Sequence, residues 1–376
     1  MRVIYDLQAH TFGPHGGVAG MMNAIISGLA ATQPDFSARL YCPARPAAPV
    51  PSGPRIRRCH WQGLPAAMRR QPPLRMLYHG ASELYWRLHP ADLFHPSFYP
   101  EDATLLRLPT VVNIYDLVHE NQPLADDVPD VQRLLLLKKR AVEQAARILC
   151  ISQATRDAFL QHYKADPARC LVVPLAADTV FRPMPADRAR ALICAASPAM
   201  DPARPFILFV GTRHRYKNFH RLLTAYRRWA RNRDVDLVVA GAPRRSSDAA
   251  IDDLLPAEGR VVHIPYPDGQ TLCALYNQAR FFVYPSLNEG FGIPLLEAMA
   301  TGCPLCVSDI PVFREVAAPV SVFFDPLSTE AMMAGLDAAL ALRDHPGLAA
   351  SQAQTLARYS WQKCVETVGA LYHELR

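Results

Sequence analysis

Two glutamates, Glu289 and Glu297, stand on either side of a short Gly-Phe-Gly segment and could act on a phosphorylated ligand. An apolar stretch that favours a strand precedes them, and Pro294 and Gly302 predict the first turn and the end of a helix. The first turn of a helix offers unpaired N–H groups and a partial positive charge, which attract phosphate. The pattern therefore predicts a strand–loop–helix unit that holds an anionic ligand between two carboxylates.

The parts of this unit match the parts of a nucleotide sugar. Gly290 and Gly292 let a ligand approach the main chain closely, so the backbone from Gly290 through Phe291 to Gly292 is a candidate contact. Glu289 could face a sugar hydroxyl or a developing positive charge, and Glu297 could accept hydrogen bonds from a ribose diol. For the two acids alone, a surface turn with solvated glutamates would be the simpler interpretation.

A second candidate segment, FVGTRHRYKNF, begins as a strand and turns at Gly211. It then presents Arg213, Arg215 and Lys217 just before a helix. A cation pair at this position would hold a diphosphate as a point charge plus a bidentate fork. A basic helix cap is the alternative.

Composition limits the class of protein. The chain has 376 residues, half of them apolar and a fifth charged, which suits two globular domains. Its net charge of +6 comes from residues 1–100, where ten arginines face four acids. No nucleic-acid motif accompanies this basic region, so an anionic membrane or a lipid pyrophosphate fits it better than nucleic acid does. A plain solvated arginine face is the structural alternative.

The lengths of the apolar runs and the positions of the candidate metal ligands predict where the protein is located and whether it binds a metal. The apolar runs are shorter than the ~20 residues of a membrane span, and the N-terminus reads as a core strand. We therefore expect a cytoplasmic protein, peripheral on the inner face of the plasma membrane. The Cys303-x-x-Cys306 pair has no partner ligands, and Asp234 and Asp236 precede a strand instead of following it. No metal site is predicted.

Strands alternate with helices throughout, which is typical of parallel α/β layers. The predicted strands are 2–7, 38–42, 92–97, 110–117, 147–152 and 171–175 in the first half, and 206–211, 236–241, 261–265, 281–285, 304–308 and 320–326 in the second. The predicted helices are 18–29, 130–145, 154–163, 186–195, 218–232, 270–278, 294–301, 329–342 and 346–374, the last broken near residues 359–361.

The segment around Glu289 resembles the donor-site signature of the retaining family 4 glycosyltransferases, and the resemblance extends over nearly the whole chain. It implies the GT-B fold, an α/β architecture of two facing Rossmann-like doubly wound domains with an interdomain cleft. The corresponding divisions are an acceptor-binding domain (1–185), a linker (186–204), a nucleotide-sugar-binding domain (205–358) and a C-terminal helix (359–376) that packs back on the first domain.

The resemblance also implies roles for single residues. Lys217 and an arginine, for which Arg213 is favoured, would neutralise the departing nucleoside diphosphate. The glycines of the first strand-to-helix turn, Gly16 and Gly17, would approach the donor phosphate. The Tyr-Asp-x-x-His-Glu segment makes Asp116 and His119 acceptor-side candidates. A helix-capping aspartate and a hydrogen-bonded core histidine are the structural alternatives for that pair.

The implied activity is that of a metal-independent retaining hexosyltransferase without a cofactor. Resemblance to bacterial polysaccharide mannosyl- and rhamnosyltransferases favours a GDP-sugar donor and a lipid-linked glycan acceptor. Two other classes stay open: a non-catalytic nucleotide-sugar or glycan-binding protein of the same fold, and a nucleic-acid-binding protein that uses the basic regions. Binding of a nucleotide sugar without turnover, or binding of oligonucleotides only, would distinguish these from the enzyme.

Overall fold

The structure is a computed structural model that describes residues 1–11, 17–42, 45–62, 72–101, 104–120, 130–198, 200–201, 203–242 and 260–376. Gly16, together with Arg69 and Arg70 of the basic region, lies outside the described residues. The chain divides by its internal contacts into two compact units. Unit 1 comprises Met1–Tyr115, Asp130–Leu175 and Trp361–Arg376, and unit 2 comprises Asp116–Pro129 and Ala176–Ser360.

Unit 1 is built on parallel strands flanked by helices. Its strands are β1 (Arg2–Asp6), β2 (Ser37–Cys42), β3 (Ile56–Gln62), β4 (Leu93–Phe94), β5 (Val111–Ile114), β6 (Arg147–Cys150) and β7 (Cys170–Val172). Its helices are α1 (Gly17–Thr32), α2 (Pro72–Leu88), α3 (Val131–Gln144), α4 (Gln153–Tyr163) and α12 (Trp361–Glu374).

The strands of unit 1 lie in the order β3-β2-β1-β4 and, beyond a single bridge between Phe94 and Thr110, β5-β6-β7. The core-facing strands are buried almost continuously because helices cover both faces. Helix α12 packs closely on α1, since a Cβ at Gly28 would lie 2.5 Å from Val365 Cγ2. The C-terminal helix is therefore part of the core of unit 1.

Unit 2 repeats this architecture. Its strands are β8 (Phe206–Val210), β9 (Asp236–Gly241), β10 (Val261–Pro265), β11 (Phe282–Tyr284), β12 (Leu305–Ser308) and β13 (Val322–Phe324). Its helices are α5 (Ala186–Ala196), α6 (Phe219–Arg228), α7 (Gly269–Gln278), α8 (Ile293–Ala300), α9 (Pro311–Val316), α10 (Thr329–Ala339) and α11 (Leu348–Leu356).

The parallel sheet of unit 2 has the order β10-β9-β8-β11-β12-β13, which is that of a doubly wound dinucleotide-binding fold. The strand order reverses between β8 and β11. In such sheets the ligand crevice lies outside the carboxyl ends of the strands at this switch point. The segments that follow β8 and β11 are those that carry Lys217 and Glu289.

The residue boundaries of the two units differ from the predicted domain boundaries. Helix α5, which we expected inside a linker, belongs to unit 2, where it packs against α7. The backbone N–H of Met184 donates to Asn277 Oδ1 at 2.9 Å, which secures the entry to this helix. A segment rich in proline and alanine has weak periodicity, so its tertiary partner could not be anticipated.

Several predicted elements are shorter in the structure, and three were missed. The strand expected over 110–117 ends at Ile114, because Tyr115 donates to Ser97 O and Asp116 accepts from Val118 N–H in a turn. The helix expected over 218–232 ends at Arg228, and the Trp229 side chain donates to Asp337. Strand β3, helix α2 and helix α9 were not predicted. Strand β3 contains two adjacent arginines, α2 begins with two prolines, and α9 has only six residues.

A chain of buried polar groups ties α12 to the sheet of unit 1. Tyr5 Oη and Tyr372 Oη lie 3.0 Å apart, and Tyr372 also contacts His95 Nδ1. His95 Nε2 lies 2.8 Å from the Asn113 amide. Burial lowers the pKa of His95 to about 4, so the imidazole is neutral at physiological pH.

We expect His95 to make the protein acid-sensitive. An unfolded histidine binds a proton below about pH 6.5, whereas His95 in the folded state resists protonation until about pH 4. Stability is therefore fully present above pH 6.5 and is lost as the pH falls towards 4, by up to about 3 kcal/mol. Urea unfolding from pH 7 to 4 should show a shallower decline for His95→Gln. An unchanged slope would contradict this role for His95.

Candidate active site

Lys217 is positioned by the turn between β8 and α6. It ends a short 3-10 helix, Arg215–Lys217, and Asn218 follows it in a left-handed conformation with φ 56°. The buried Asn218 amide donates to Pro285 O at 3.1 Å and to Pro326 O at 2.8 Å. These bonds join the loop that carries Lys217 to the loop after β11, so Asn218 holds the two halves of the site in register.

Lys217 forms an ion pair with Glu289. The Lys217 Nζ–Glu289 Oε1 distance is 2.6 Å, and each side chain is only 12% exposed. Ser286 Oγ donates to the same carboxylate oxygen at 2.7 Å, and Lys217 Nζ lies 3.1 Å from Tyr284 Oη. The structure thus brings together the two predicted residues that are 72 positions apart in the chain.

The surroundings of Lys217 keep its ammonium charged. Burial opposes the charge, but Glu289 and the nearby Tyr216 and Tyr284 outweigh this effect and raise the pKa of Lys217 well above its usual range. Both tyrosine ring centroids lie 5.1 Å from Nζ. Lys217 is therefore always charged. A phosphate bound nearby could contact its ammonium group in addition to Glu289 or in place of it.

The predicted Gly-Phe-Gly segment forms the start of α8. Gly292 caps this helix with φ 96°, and a Cβ there would lie 3.1 Å from Leu295 Cδ1 and 3.2 Å from Phe313 Cε1. A side chain at 292 would be both strained and crowded. The Phe291 side chain is buried, with its ring centroid 5.5 Å from that of Tyr359. Phe291 can therefore offer a ligand its backbone, while its ring belongs to the core.

Helix α8 ends at the predicted glycine. Gly302 has φ 77°, and its N–H donates to Met299 O while that of Cys303 donates to Ala298 O. This pair of bonds is a Schellman motif, which satisfies the last carbonyls of the helix. The eight-residue helix therefore has both ends set by local sequence.

Glu297 lies on α8, four residues beyond Ile293. Its Oε2 accepts a hydrogen bond from Tyr276 Oη at 3.0 Å. Burial raises the pKa of Glu297 to about 7, the Tyr276 bond opposes the shift, and the nearby Asp178 adds to it. The carboxylate is thus held in place by Tyr276 and titrates near neutrality.

Arg213 lies at the end of β8 but turns towards β9 and β10. Its Nη1 donates to Ala242 O at 2.9 Å, and both Nη atoms lie 3.4 Å from His263 Nε2. The backbones of β8 and β9 approach closely here, since a Cβ at Gly241 would lie 2.4 Å from Gly211 O. Arg213 as the partner of Lys217 stays a prediction.

The acceptor-side candidates lie close to each other. Asp116 Oδ1 and His119 Nδ1 are 3.8 Å apart, and both side chains are partly exposed. Asp116 also accepts from Val118 N–H at 3.1 Å, so the turn orients its carboxylate. Gly17 is the first residue of α1, as the glycine-rich turn predicted. The roles of these residues stay predictions.

Asp236, Cys303 and Cys306 of the two rejected metal candidates are buried. Asp236 is buried at the start of β9, 3.0 Å from Arg204 and 3.4 Å from Arg260. Cys303 and Cys306 are buried thiols, and burial raises the pKa of Cys303 to about 12. Within the described ranges, no three His, Cys, Asp or Glu residues are grouped as a metal site would require.

Sequence reasoning missed the residues that orient the site. Tyr284 and Ser286 bond the Lys217–Glu289 pair, Tyr276 bonds Glu297, and Asn218 joins the two loops. The proximity of Tyr284 and Ser286 to the predicted Glu289 was the available signal. Nothing local connects Tyr276 with Glu297, because one residue lies on α7 and the other on α8.

The chain is a protein of two α/β units with parallel strands, and the doubly wound sheet of unit 2 carries the Lys217–Glu289 pair beside its switch point. Comparison with known proteins agrees. Residues 15–181 match the family model described as Glycosyltransferase Family 4, and residues 196–355 match that of Glycosyl transferases group 1. The chain belongs to the family 4 glycosyltransferases of the GT-B fold, which confirms the predicted family and fold class.

Two of the similar proteins are named as O-antigen chain mannosyltransferases. The chain is 25% identical to O-antigen chain mannosyltransferase RfbU of Salmonella typhimurium over 221 residues, 58% of each sequence. It is 27% identical to O-antigen chain mannosyltransferase B of Escherichia coli over 239 residues, 61% of each. The chain thus spans about three fifths of the length of these curated relatives.

The fold also matches a solved structure over nearly its full length. WaaG, a glycosyltransferase involved in lipopolysaccharide biosynthesis, aligns with a TM-score of 0.74 at 17% identity. The match covers 98% of this chain and 99% of WaaG. At this identity the likeness concerns the fold.

Proposed function

We propose that this protein transfers a hexose, for which mannose is favoured, from a nucleoside diphosphate sugar to a growing surface polysaccharide. The buried Lys217–Glu289 pair beside the first turn of α8, with Glu297 one turn further on, carries this proposal. The cation and the backbone N–H groups suit a diphosphate, and Glu297 suits a ribose diol. The names of the two O-antigen mannosyltransferases favour mannose and, with it, a GDP-sugar.

The proposed reaction retains the configuration of the sugar and proceeds on one face of it. The acceptor oxygen bonds to the anomeric carbon as the bond from that carbon to the phosphate oxygen breaks. The departing phosphate takes the acceptor proton. Lys217 stabilises the charge that develops on the phosphate, and Glu289 lies beside it, where a positive charge forms on the sugar.

The proposed donor site works without a metal ion. Lys217, an arginine and the N-terminus of α8 supply the positive charge that a metal would supply elsewhere. The proposed acceptor is a lipid-linked glycan, and Asp116 and His119 are its candidate contacts. A non-catalytic nucleotide-sugar-binding protein of the same fold is the second candidate, because the donor site alone would serve it equally well.

A screen of nucleoside diphosphate sugars by thermal shift tests this proposal. The stabilising compound is then incubated with the protein in EDTA, and release of nucleoside diphosphate is measured with and without a glycan acceptor. We expect a GDP-sugar to stabilise the protein and to be turned over in EDTA. Stabilisation without turnover would favour the binding protein. Stabilisation by oligonucleotides alone would exclude both.

A further inference from the structure

Helix α2 presents an apolar stripe to solvent. Leu77, Leu84 and Leu88 are 71%, 59% and 69% exposed, and Ala81 between them is also exposed. At 100° per residue these four positions fall within an arc of about 60°. Large exposed apolar side chains that share one face of a helix indicate an interaction surface.

The stripe lies on the side of α2 that faces away from the core. Trp86, about 180° from Leu77 around the helix, is buried against Tyr41, with ring centroids 5.7 Å apart. The inner face of α2 is therefore already occupied by the sheet of unit 1. The three leucines are not part of the buried cluster around Trp86, so most of their apolar surface is available to another partner.

Arginines surround the C-terminal end of α2. Arg39 Nη1 donates to Pro90 O just after the helix, and Arg87 and Arg107 are 73% and 68% exposed. Arg2, which pairs with Asp92, also lies near this end. The described charged residues here are therefore four arginines and two acids, Glu83 and Asp92, which leaves a net charge of +2. An apolar stripe with an excess of arginine beside it matches a surface of anionic headgroups over acyl chains.

We propose that the α2 stripe, defined as Leu77, Ala81, Leu84 and Leu88, docks on an anionic lipid bilayer with the helix axis parallel to its plane. The leucines enter the boundary between headgroups and acyl chains, and the arginines contact lipid phosphates. No described helix is long and apolar enough to cross a membrane, so contact through this stripe would be peripheral. This inference deepens the proposed function, because a lipid-linked acceptor would lie at the same surface.

Flotation of the full chain with vesicles tests the inference. One set of vesicles contains phosphatidylcholine with one third phosphatidylglycerol, and the other contains phosphatidylcholine alone. We expect binding to the anionic vesicles that weakens at high salt. Leu77→Glu/Leu84→Glu/Leu88→Glu should lower the partition coefficient at least about tenfold, because it removes the buried apolar area and adds three like charges.

Matched single variants sharpen the test. Leu84→Glu should weaken vesicle binding, whereas Leu327→Glu, which changes a similarly exposed leucine (66%) of unit 2, should leave it unchanged. Equal binding by the triple variant and the unmodified protein would overturn the inference. A dimer in light scattering that becomes a monomer in the triple variant, without any vesicle binding, would assign the stripe to a second copy and would also overturn it.

The thermal shift that a nucleotide sugar causes, measured without lipid, tests the proposed function separately from this inference. The triple variant should keep the thermal shift of the unmodified protein, since α2 carries none of the proposed donor-site residues. A protein that binds donor but no vesicles would overturn the docking surface alone. A protein that binds vesicles but no nucleotide sugar would overturn the proposed function alone.

Discussion

Lys217→Ala should reduce sugar transfer by about 10²–10³-fold, the usual effect of removing one preorganised charge-stabilising group. The leaving diphosphate gains negative charge as its bond to the sugar breaks, and Lys217 is a nearly buried cation paired with Glu289, which lies four residues before α8. Low exposure strengthens the interaction because little water screens it. Initial rates at saturating donor, measured as release of nucleoside diphosphate, check this expectation.

The same substitution should also destabilise the protein, and this effect must be separated from catalysis. The Glu289 side chain is only 12% exposed beside Lys217, and loss of its cation costs about 1–3 kcal/mol. Lys217→Ala/Glu289→Gln should recover most of the lost stability in urea unfolding but none of the activity. Recovery of transfer in the double variant, or wild-type rates in Lys217→Ala, would refute the role of Lys217.

Two further alanine variants identify the arginine that works with Lys217. Arg213→Ala should slow transfer more than Arg215→Ala, because Arg213 lies three residues after the end of β8, nearer than Arg215 to the strand end where the ligand crevice of this fold lies. The Arg213 guanidinium must then leave the Ala242 carbonyl when donor binds. A larger effect of Arg215→Ala would reverse the assignment.

Glu297→Gln should weaken donor binding at least about tenfold while it stabilises the protein at alkaline pH. A carboxylate can accept both hydroxyl groups of a ribose diol, whereas an amide has one acceptor oxygen. Loss of a hydrogen bond to a charged acceptor corresponds to about a tenfold change or more in affinity. Titration calorimetry with the nucleoside diphosphate, compared with the exposed control Glu366→Gln, measures this loss.

The stability effect follows from the raised pKa of Glu297. The unfolded glutamate loses its proton near pH 4.5, but the folded one keeps it until about pH 7. The favourable contribution to folding is therefore full below pH 4.5 and is lost as the pH rises through 7, with a cost of about 1–3 kcal/mol at pH 8. The melting temperature of Glu297→Gln should exceed that of the unmodified protein at pH 8 and match it at pH 4. A lower melting temperature at pH 8 would contradict this account.

The segments that carry Lys217 and Glu297 show how much of the structure local sequence predicts. The turn after β11, the helix between Pro294 and Gly302, and the placement of Lys217 before a helix were all predictable, because proline, glycine and strand periodicity act over a few residues. The alternation of strands and helices likewise predicted parallel α/β layers. Of the missed elements, β3 and α2 lack a clear hydrophobic period because arginines and outward-facing leucines obscure it, and α9 is only six residues long.

The sequence by itself determined the family, the α/β class and the identities of the principal donor-site candidates. Only the tertiary structure decided that Lys217 and Glu289 form a buried pair, and that Asn218 joins their loops. It also decided that Tyr276 holds Glu297, whose pKa lies near 7. The physical reason is that burial and pairing depend on contacts between segments far apart in the chain, which the parallel sheet of unit 2 brings to neighbouring strand ends.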